Sequence, residues 1–162
     1  MRSIGIVMGS DSDLPVIQKA TDILRQLEIP FEVHVYSAHR TPAEAQAFAV
    51  SARERGLGVI IAAAGMAAHL AGAVAANTTL PVIGIPCKGP ALDGLDALLS
   101  TVQMPSGIPV ATVGVNNGAN AALLAAEILA VEDAALAERL AQRRKAEAEA
   151  VLQKDAGIAA RL

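Results

Sequence analysis

The chain has no tryptophan, one tyrosine and two phenylalanines in 162 residues, so a ligand that needs stacked aromatic planes finds little to bind. Flavin carriers and binders of exposed bases both use such planes. Basic charge is short as well: 13 Lys plus Arg against 16 Asp plus Glu leave a formal charge of −3, the opposite of a polyanion-binding footprint. Nucleic acid is therefore excluded as a partner. Cysteine occurs once, at Cys87, which rules out an intrachain disulfide, and Met1-Arg2 leads into Ser3-Ile4-Gly5-Ile6-Val7-Met8 with no signal-peptide cleavage pattern. The expected location is the cytoplasm. Leu57–Ala76 approaches the length of a membrane span with only His69 ionisable, but twelve of its twenty residues are Ala or Gly. It divides at Gly65 into a β-branched half and an Ala-rich half, which reads as strand, turn and helix, so no membrane is expected.

Sequence motifs are also missing. There is no Walker A motif and no G-x-G-x-x-G, so ATP and dinucleotides lose support, and the three histidines and one cysteine lack metal-ligand spacing. A phosphoacceptor receiver would need Asp at the end of its third strand and Lys at the end of its fifth, where this chain has Ala63-Ala64 and Val113-Gly114.

What is present is 53% apolar and only 18% charged, enough for one well-buried core. Val- and Ile-rich runs at Ile4–Met8, Phe31–Val35, Val59–Ala63, Val82–Ile85 and Val110–Val113 read as strands buried on both faces. Segments with helical spacing alternate with them: Leu14–Leu27, Pro42–Arg55, Ala67–Ala76, Leu92–Thr101 and Ala119–Ala130. Thr41-Pro42-Ala43-Glu44 reads as a capping box with Pro at the first helical position. This alternation predicts a three-layer α/β/α fold with a five-stranded parallel sheet in the flavodoxin-like order 2-1-3-4-5. Residues 1–132 form this domain. From Asp133 a charged, Ala-rich stretch carries only a thin apolar stripe (Leu136, Leu140, Val151). We expect residues 133–162 to add a C-terminal helix that packs on a neighbouring subunit, making a homo-oligomer; the alternative is a solvated, frayed tail.

Ligands of doubly wound sheets bind outside the carboxyl ends of the strands, where strand order reverses. Three loops converge there: Gly9-Ser10-Asp11-Ser12-Asp13, Ser37-Ala38-His39-Arg40 and Ala64-Gly65-Met66-Ala67-Ala68-His69. The first suits a phosphate at a helix N-terminus, with Asp13 either accepting from sugar hydroxyls or capping the helix. Arg40 either grips the phosphate bidentately or forms a surface ion pair. His39 either takes and returns a proton near neutral pH or is a loop histidine bonded to backbone. His69 either lines the cleft or satisfies a backbone carbonyl. His34 reads as a packed or edge residue, and Cys87 as an incidental thiol rather than a nucleophile.

Met8-Gly9-Ser10-Asp11-Ser12-Asp13, Ser37-Ala38-His39-Arg40-Thr41-Pro42, Ala64-Gly65-Met66-Ala67-Ala68-His69-Leu70, Pro81-Val82-Ile83-Gly84-Ile85-Pro86 and Gln103-Met104-Pro105-Ser106-Gly107-Ile108-Pro109-Val110 together resemble the class I N5-carboxyaminoimidazole ribonucleotide mutases of purine biosynthesis. Met66 stands where many members have Gly, and Ala71 where many have Pro. The resemblance implies a cofactor-free shift of a carboxyl group from an exocyclic nitrogen to ring carbon C4. It implies His39 as general acid/base, Ser10 and Arg40 on the phosphate, Asp13 on the ribose, and Ser37, Gly65 and His69 lining the pocket. It also implies an octamer. The Gln103–Pro109 loop is expected to help close the site. Two rivals remain: direct carboxylation of aminoimidazole ribonucleotide by CO2, and a non-catalytic nucleotide-binding module. The first is disfavoured because its class typically reads Ser-Ala-His-Lys, where this chain has Arg40.

Overall fold

A computed structural model describes residues 2–158. Five parallel strands, β1 (Ser3–Met8), β2 (Phe31–Val35), β3 (Leu57–Gly65), β4 (Val82–Cys87) and β5 (Ala111–Thr112), stand in the order β2-β1-β3-β4-β5, as expected. Strand β1 pairs with both neighbours, Ile6 opposite Val33 on one side and Ile61 on the other, with a register shift toward β3 between Ser3 and Ile4. Helices α1 (Leu14–Gln26), α2 (Pro42–Ser51), α3 (Leu70–Ala75), α4 (Leu95–Val102) and α5 (Gly118–Ala130) follow the strands in turn, and α6 (Ala134–Ala156) ends the chain.

The alternation arises because successive strand residues face opposite layers. Ile4, Ile6, Val59, Ile61, Ile83 and Ile85 point into a core shared with α1 and α5, which also takes Leu136 of α6. Val7, Ile60, Ala62 and Val82 point the other way, onto α2 and α3. Both layers close tightly. A Cβ on Gly5 would stand 2.9 Å from the Phe48 ring, and one on Gly118 would stand 2.1 Å from the Val16 carbonyl oxygen, so α5 starts directly against the backbone of α1.

Three local expectations change. Strand β5 pairs over only two residues, Ala111 with Ile83 and Thr112 with Gly84, and is shorter than the expected Val110–Val113 run. Helix α3 begins at Leu70 rather than Ala67, which leaves residues 66–69 as an open loop over the sheet. Thr41 does stand at the start of α2 but makes no side-chain cap; its hydroxyl accepts from the Ser37 N–H at 2.8 Å and so pins the preceding loop.

The charged tail is helical, as its spacing suggested. Asp133 caps α6 by accepting from the Leu136 N–H at 3.0 Å. Arg143 bonds Gln26 and Arg144 pairs with Glu127, both at 2.8 Å, fastening the first half of α6 to α1 and α5. From Arg144 to Ile158 every residue is exposed. The last four residues of the expected 133–162 extension lie outside the described residues.

Candidate active site

The loops after β1, β2 and β3 meet at the carboxyl edge of the sheet around a cleft of about 540 Å³, lined by Ser10, Asp13, Ser37, His39, Arg40, Gly65, Met66 and His69 among others. All seven residues singled out from the sequence line it. A larger hollow of about 970 Å³ opens at the opposite edge, where Arg53, Thr79, Leu80 and Ile108 line it, but no histidine reaches it. Gly107, Ile108 and Pro109 belong to this second hollow, so the Gln103–Pro109 loop does not close the histidine cleft of its own chain. The reason is directional: α4 runs back antiparallel to the strands and delivers its following loop to their amino ends.

In the first loop Gly9 leaves β1 with its N–H on the Ala63 carbonyl, 3.0 Å away. Ser10 caps a 3-10 turn (Asp11–Asp13) by accepting from the Ser12 N–H at 3.3 Å and from the Ser12 hydroxyl at 2.9 Å. Asp13 makes no side-chain cap, so its carboxyl is not spent on holding α1. Burial holds that carboxyl above its ordinary pKa of 3.8, against the opposing pull of hydrogen bonds from the Cys87 thiol and the Ser10 backbone. The same burial, with the Asp13 charge beside it, pushes Cys87 up to about 12. The thiol therefore stays protonated near neutral pH, which fits a structural group and not a nucleophile.

The second loop is a turn organised by Ser37, whose hydroxyl accepts from the backbone N–H groups of His39 at 3.3 Å and Arg40 at 3.1 Å. This fixes the backbone carrying both side chains. Arg40 reaches back to donate to the Gly9 carbonyl at 2.8 Å, and among the described residues it has no carboxylate partner. Its charge is left to face an anion beside Ser10 and Ser12.

His39 Nε2 lies 2.8 Å from His69 Nδ1, with the rings nearly perpendicular at 83°. His69 thus lines the cleft. One facing nitrogen must carry the hydrogen and the other accept it, so the pair holds one proton between the two rings. Gly65 ends β3 with its Cα against the neighbouring strand: a Cβ there would stand 3.3 Å from the Cys87 carbonyl oxygen. His34 is elsewhere, stacked on Tyr36 at 5.1 Å on the α2 face of β2.

Lys88 also lines the cleft and was not anticipated. It follows β4, pairs with Asp93 at 2.7 Å, and donates its backbone N–H to Asn116 Oδ1 at 2.9 Å. The clue was available, because the strand rule brings the fourth loop to the same edge as the first three. Among the described residues, no group of three His, Cys, Asp or Glu side chains comes together as a metal ion would require. No described helix is long and apolar enough to cross a membrane.

A family profile described as AIR carboxylase matches residues 3–150. The N5-carboxyaminoimidazole ribonucleotide mutase of Pyrococcus horikoshii is 56% identical over 142 residues, covering 88% of this chain and 80% of that protein. The mutase of the same name from Thermotoga maritima is 51% identical over 154 residues, covering 95% and 90%. The phosphoribosylaminoimidazole carboxylase of Saccharomyces cerevisiae is 54% identical over 151 residues, which are 93% of this chain but 26% of that longer protein. The crystal structure of Treponema denticola PurE superposes with a TM-score of 0.81 at 28% identity, covering 94% of this chain and 96% of that one.

Proposed function

The chain belongs to the AIR carboxylase family, and from that premise we propose that it is an isomerase of purine biosynthesis, a mutase that converts N5-carboxyaminoimidazole ribonucleotide to 4-carboxy-5-aminoimidazole ribonucleotide. Relatives named for that mutase match over most of both chains, which favours it over direct carboxylation. The observation that carries the reading at the site is the His39–His69 contact of 2.8 Å, in a cleft whose other polar groups suit a phosphorylated sugar.

In this reading Ser10 and Arg40 hold the phosphate, Asp13 accepts from the ribose, and Ser37, Gly65 and His69 border the ring. The N–carboxyl bond breaks, its electron pair stays on nitrogen, and nitrogen takes a proton from His39. Carbon C4 of the electron-rich ring then attacks the released CO2, and the C4 proton passes back to His39. The histidine ends as it began, so no external acid or base is consumed. Keeping CO2 beside the ring makes the second step effectively intramolecular, an advantage of roughly 7–11 kcal/mol when geometry is right. His69, as proton partner of His39, keeps its ring oriented between the two transfers. The reaction as written uses no cofactor.

We also assign catalysis to residues 1–132, and to residues 133–162 a helix that packs on a neighbouring subunit in a homo-oligomer, an octamer by family resemblance, working in the cytoplasm. The exposed second half of α6 supports the assembly. The test of function supplies the purified chain with each substrate separately at low bicarbonate. N5-carboxyaminoimidazole ribonucleotide should be consumed without added bicarbonate. Consumption only of aminoimidazole ribonucleotide, rising with bicarbonate, would instead identify a carboxylase.

A further inference from the structure

Met66 is the first residue after β3 and stands three residues before His69. Its φ is +56°, in the left-handed region that disfavours any residue with a side chain. A strained residue bordering a reaction cleft is a pointer to function, provided its side chain does something there. The Met66 side chain does. It lines the cleft while remaining 59% exposed, and it is the one long apolar side chain exposed there, since Leu70 is buried. It also reaches across to the loop after β4: a Cβ on Gly89 would come within 3.4 Å of Met66 Cγ. The far side is fixed by the Lys88–Asp93 ion pair and by the Lys88 N–H on Asn116.

We propose that Met66 acts as a retaining residue, a flexible apolar cover that bridges the β3 and β4 loops and holds released CO2 beside the ring until C4 captures it. This rests on the mutase reading above and adds to it which side chain of this chain does the retaining. The chemistry suits the residue type. CO2 is small and apolar, offers no hydrogen to bond, and is lost unless its exit is covered. A thioether chain with three rotatable bonds covers without competing for the His39 proton, and it can swing aside for a bulky nucleotide to enter. Met66 takes no part in bond making or breaking and is a positioning residue, not a catalytic one.

The test compares the wild-type chain with Met66→Gly and Met66→Leu. Glycine removes the cover and suits the backbone, so its melting temperature should equal or exceed the wild-type value; leucine restores apolar bulk. Each is given unlabelled N5-carboxyaminoimidazole ribonucleotide with 13C-bicarbonate and carbonic anhydrase, and mass spectrometry reads the label in the product and the aminoimidazole ribonucleotide set free. Met66→Gly should raise both, per product formed, by about fivefold, or ~1 kcal/mol at 1.36 kcal/mol per tenfold, with Met66→Leu much nearer wild type. Equal label in wild type and a folded Met66→Gly would overturn the role of Met66 and leave the mutase reading intact. Equal leakage from the glycine and leucine variants would also overturn it. A wild-type chain that leaves the substrate untouched would overturn the mutase reading itself.

Discussion

At the scale of single residues, we expect turnover to depend on the His39–His69 pair. Only one of the facing nitrogens carries a hydrogen, so one ring donates and the other accepts. Asparagine at position 39 keeps a polar group on the loop but removes the titrating ring. We expect His39→Asn to lower kcat by about 10²–10⁴-fold, the usual worth of a positioned acid/base; equilibrium dialysis should still show nucleotide binding, because Ser10, Asp13 and Arg40 remain. Asp13 makes a prediction with a definite sign. Burial raises its pKa in the folded chain, so the folded state binds that proton more tightly than the unfolded state, and stability falls as pH rises from the ordinary value through the raised one. Asp13→Asn should therefore raise the melting temperature at pH 7, and the gain should shrink toward pH 4, while KM for the nucleotide rises. That His39, Arg40, Ser10 and Asp13 line one cleft was legible because topology alone brings the ends of β1, β2 and β3 together. The histidine pair was not, because 30 residues separate its members and the sequence does not show that α3 starts as late as Leu70.

At the scale of elements, strands buried on both faces write themselves as short Val and Ile runs, and those runs mark all five strands, with β5 shorter than its run; their order follows from the doubly wound fold rule. Contacts between elements leave a weaker trace. Thr41-Pro42 announced a helix start, yet the Thr41 hydroxyl bonds the Ser37 N–H at 2.8 Å and donates to the Ser37 carbonyl at 3.3 Å. It holds the loop that carries His39. Thr41→Val should lower stability by about 1–2 kcal/mol in urea unfolding, the cost of leaving a half-buried N–H without its partner, and should lower kcat/KM as well. Gly118 looks like an ordinary loop glycine in the sequence. Its conformation is unexceptional, and what forbids a side chain there is the Val16 carbonyl of another helix, 2.1 Å from where a Cβ would stand. Gly118→Ala should cost about 2–3 kcal/mol in the same measurement, because α5 must shift off α1. An alanine as stable as the parent would mean the two helices are not in close contact.

At the scale of the whole molecule, α6 is the element that motivates an oligomer. Its 23 residues extend ~34 Å at 1.5 Å per residue, but only the first half is held, by Leu136, Arg143–Gln26 and Arg144–Glu127. The remainder carries Val151 and Leu152 about two-thirds exposed. A helical segment of roughly a dozen residues with no tertiary contact is marginal in water, so we expect a partner surface to keep it wound. A second unpartnered apolar face lies on α4 and the turn before it, where Leu92, Leu95, Leu99 and Val102 recur at spacings of three and four and are each about half exposed. Repeats of that kind form a seam for a facing helix. If the tail is one of the contacts that build the assembly, sedimentation velocity at micromolar concentration should show the full chain as an oligomer. A chain ending at Lys145 should sediment as a smaller species, with a melting temperature that depends less on concentration. A substitution Leu99→Glu separates the two surfaces: loss of assembly with α6 intact would assign α4 a contact of its own, whereas an unchanged oligomer would leave the tail as the contact that matters. A full-length chain that sediments as a monomer would remove assembly as the reason for α6 to be wound beyond Arg144, and its circular-dichroism helix content should then be the same in dilute and in concentrated solution.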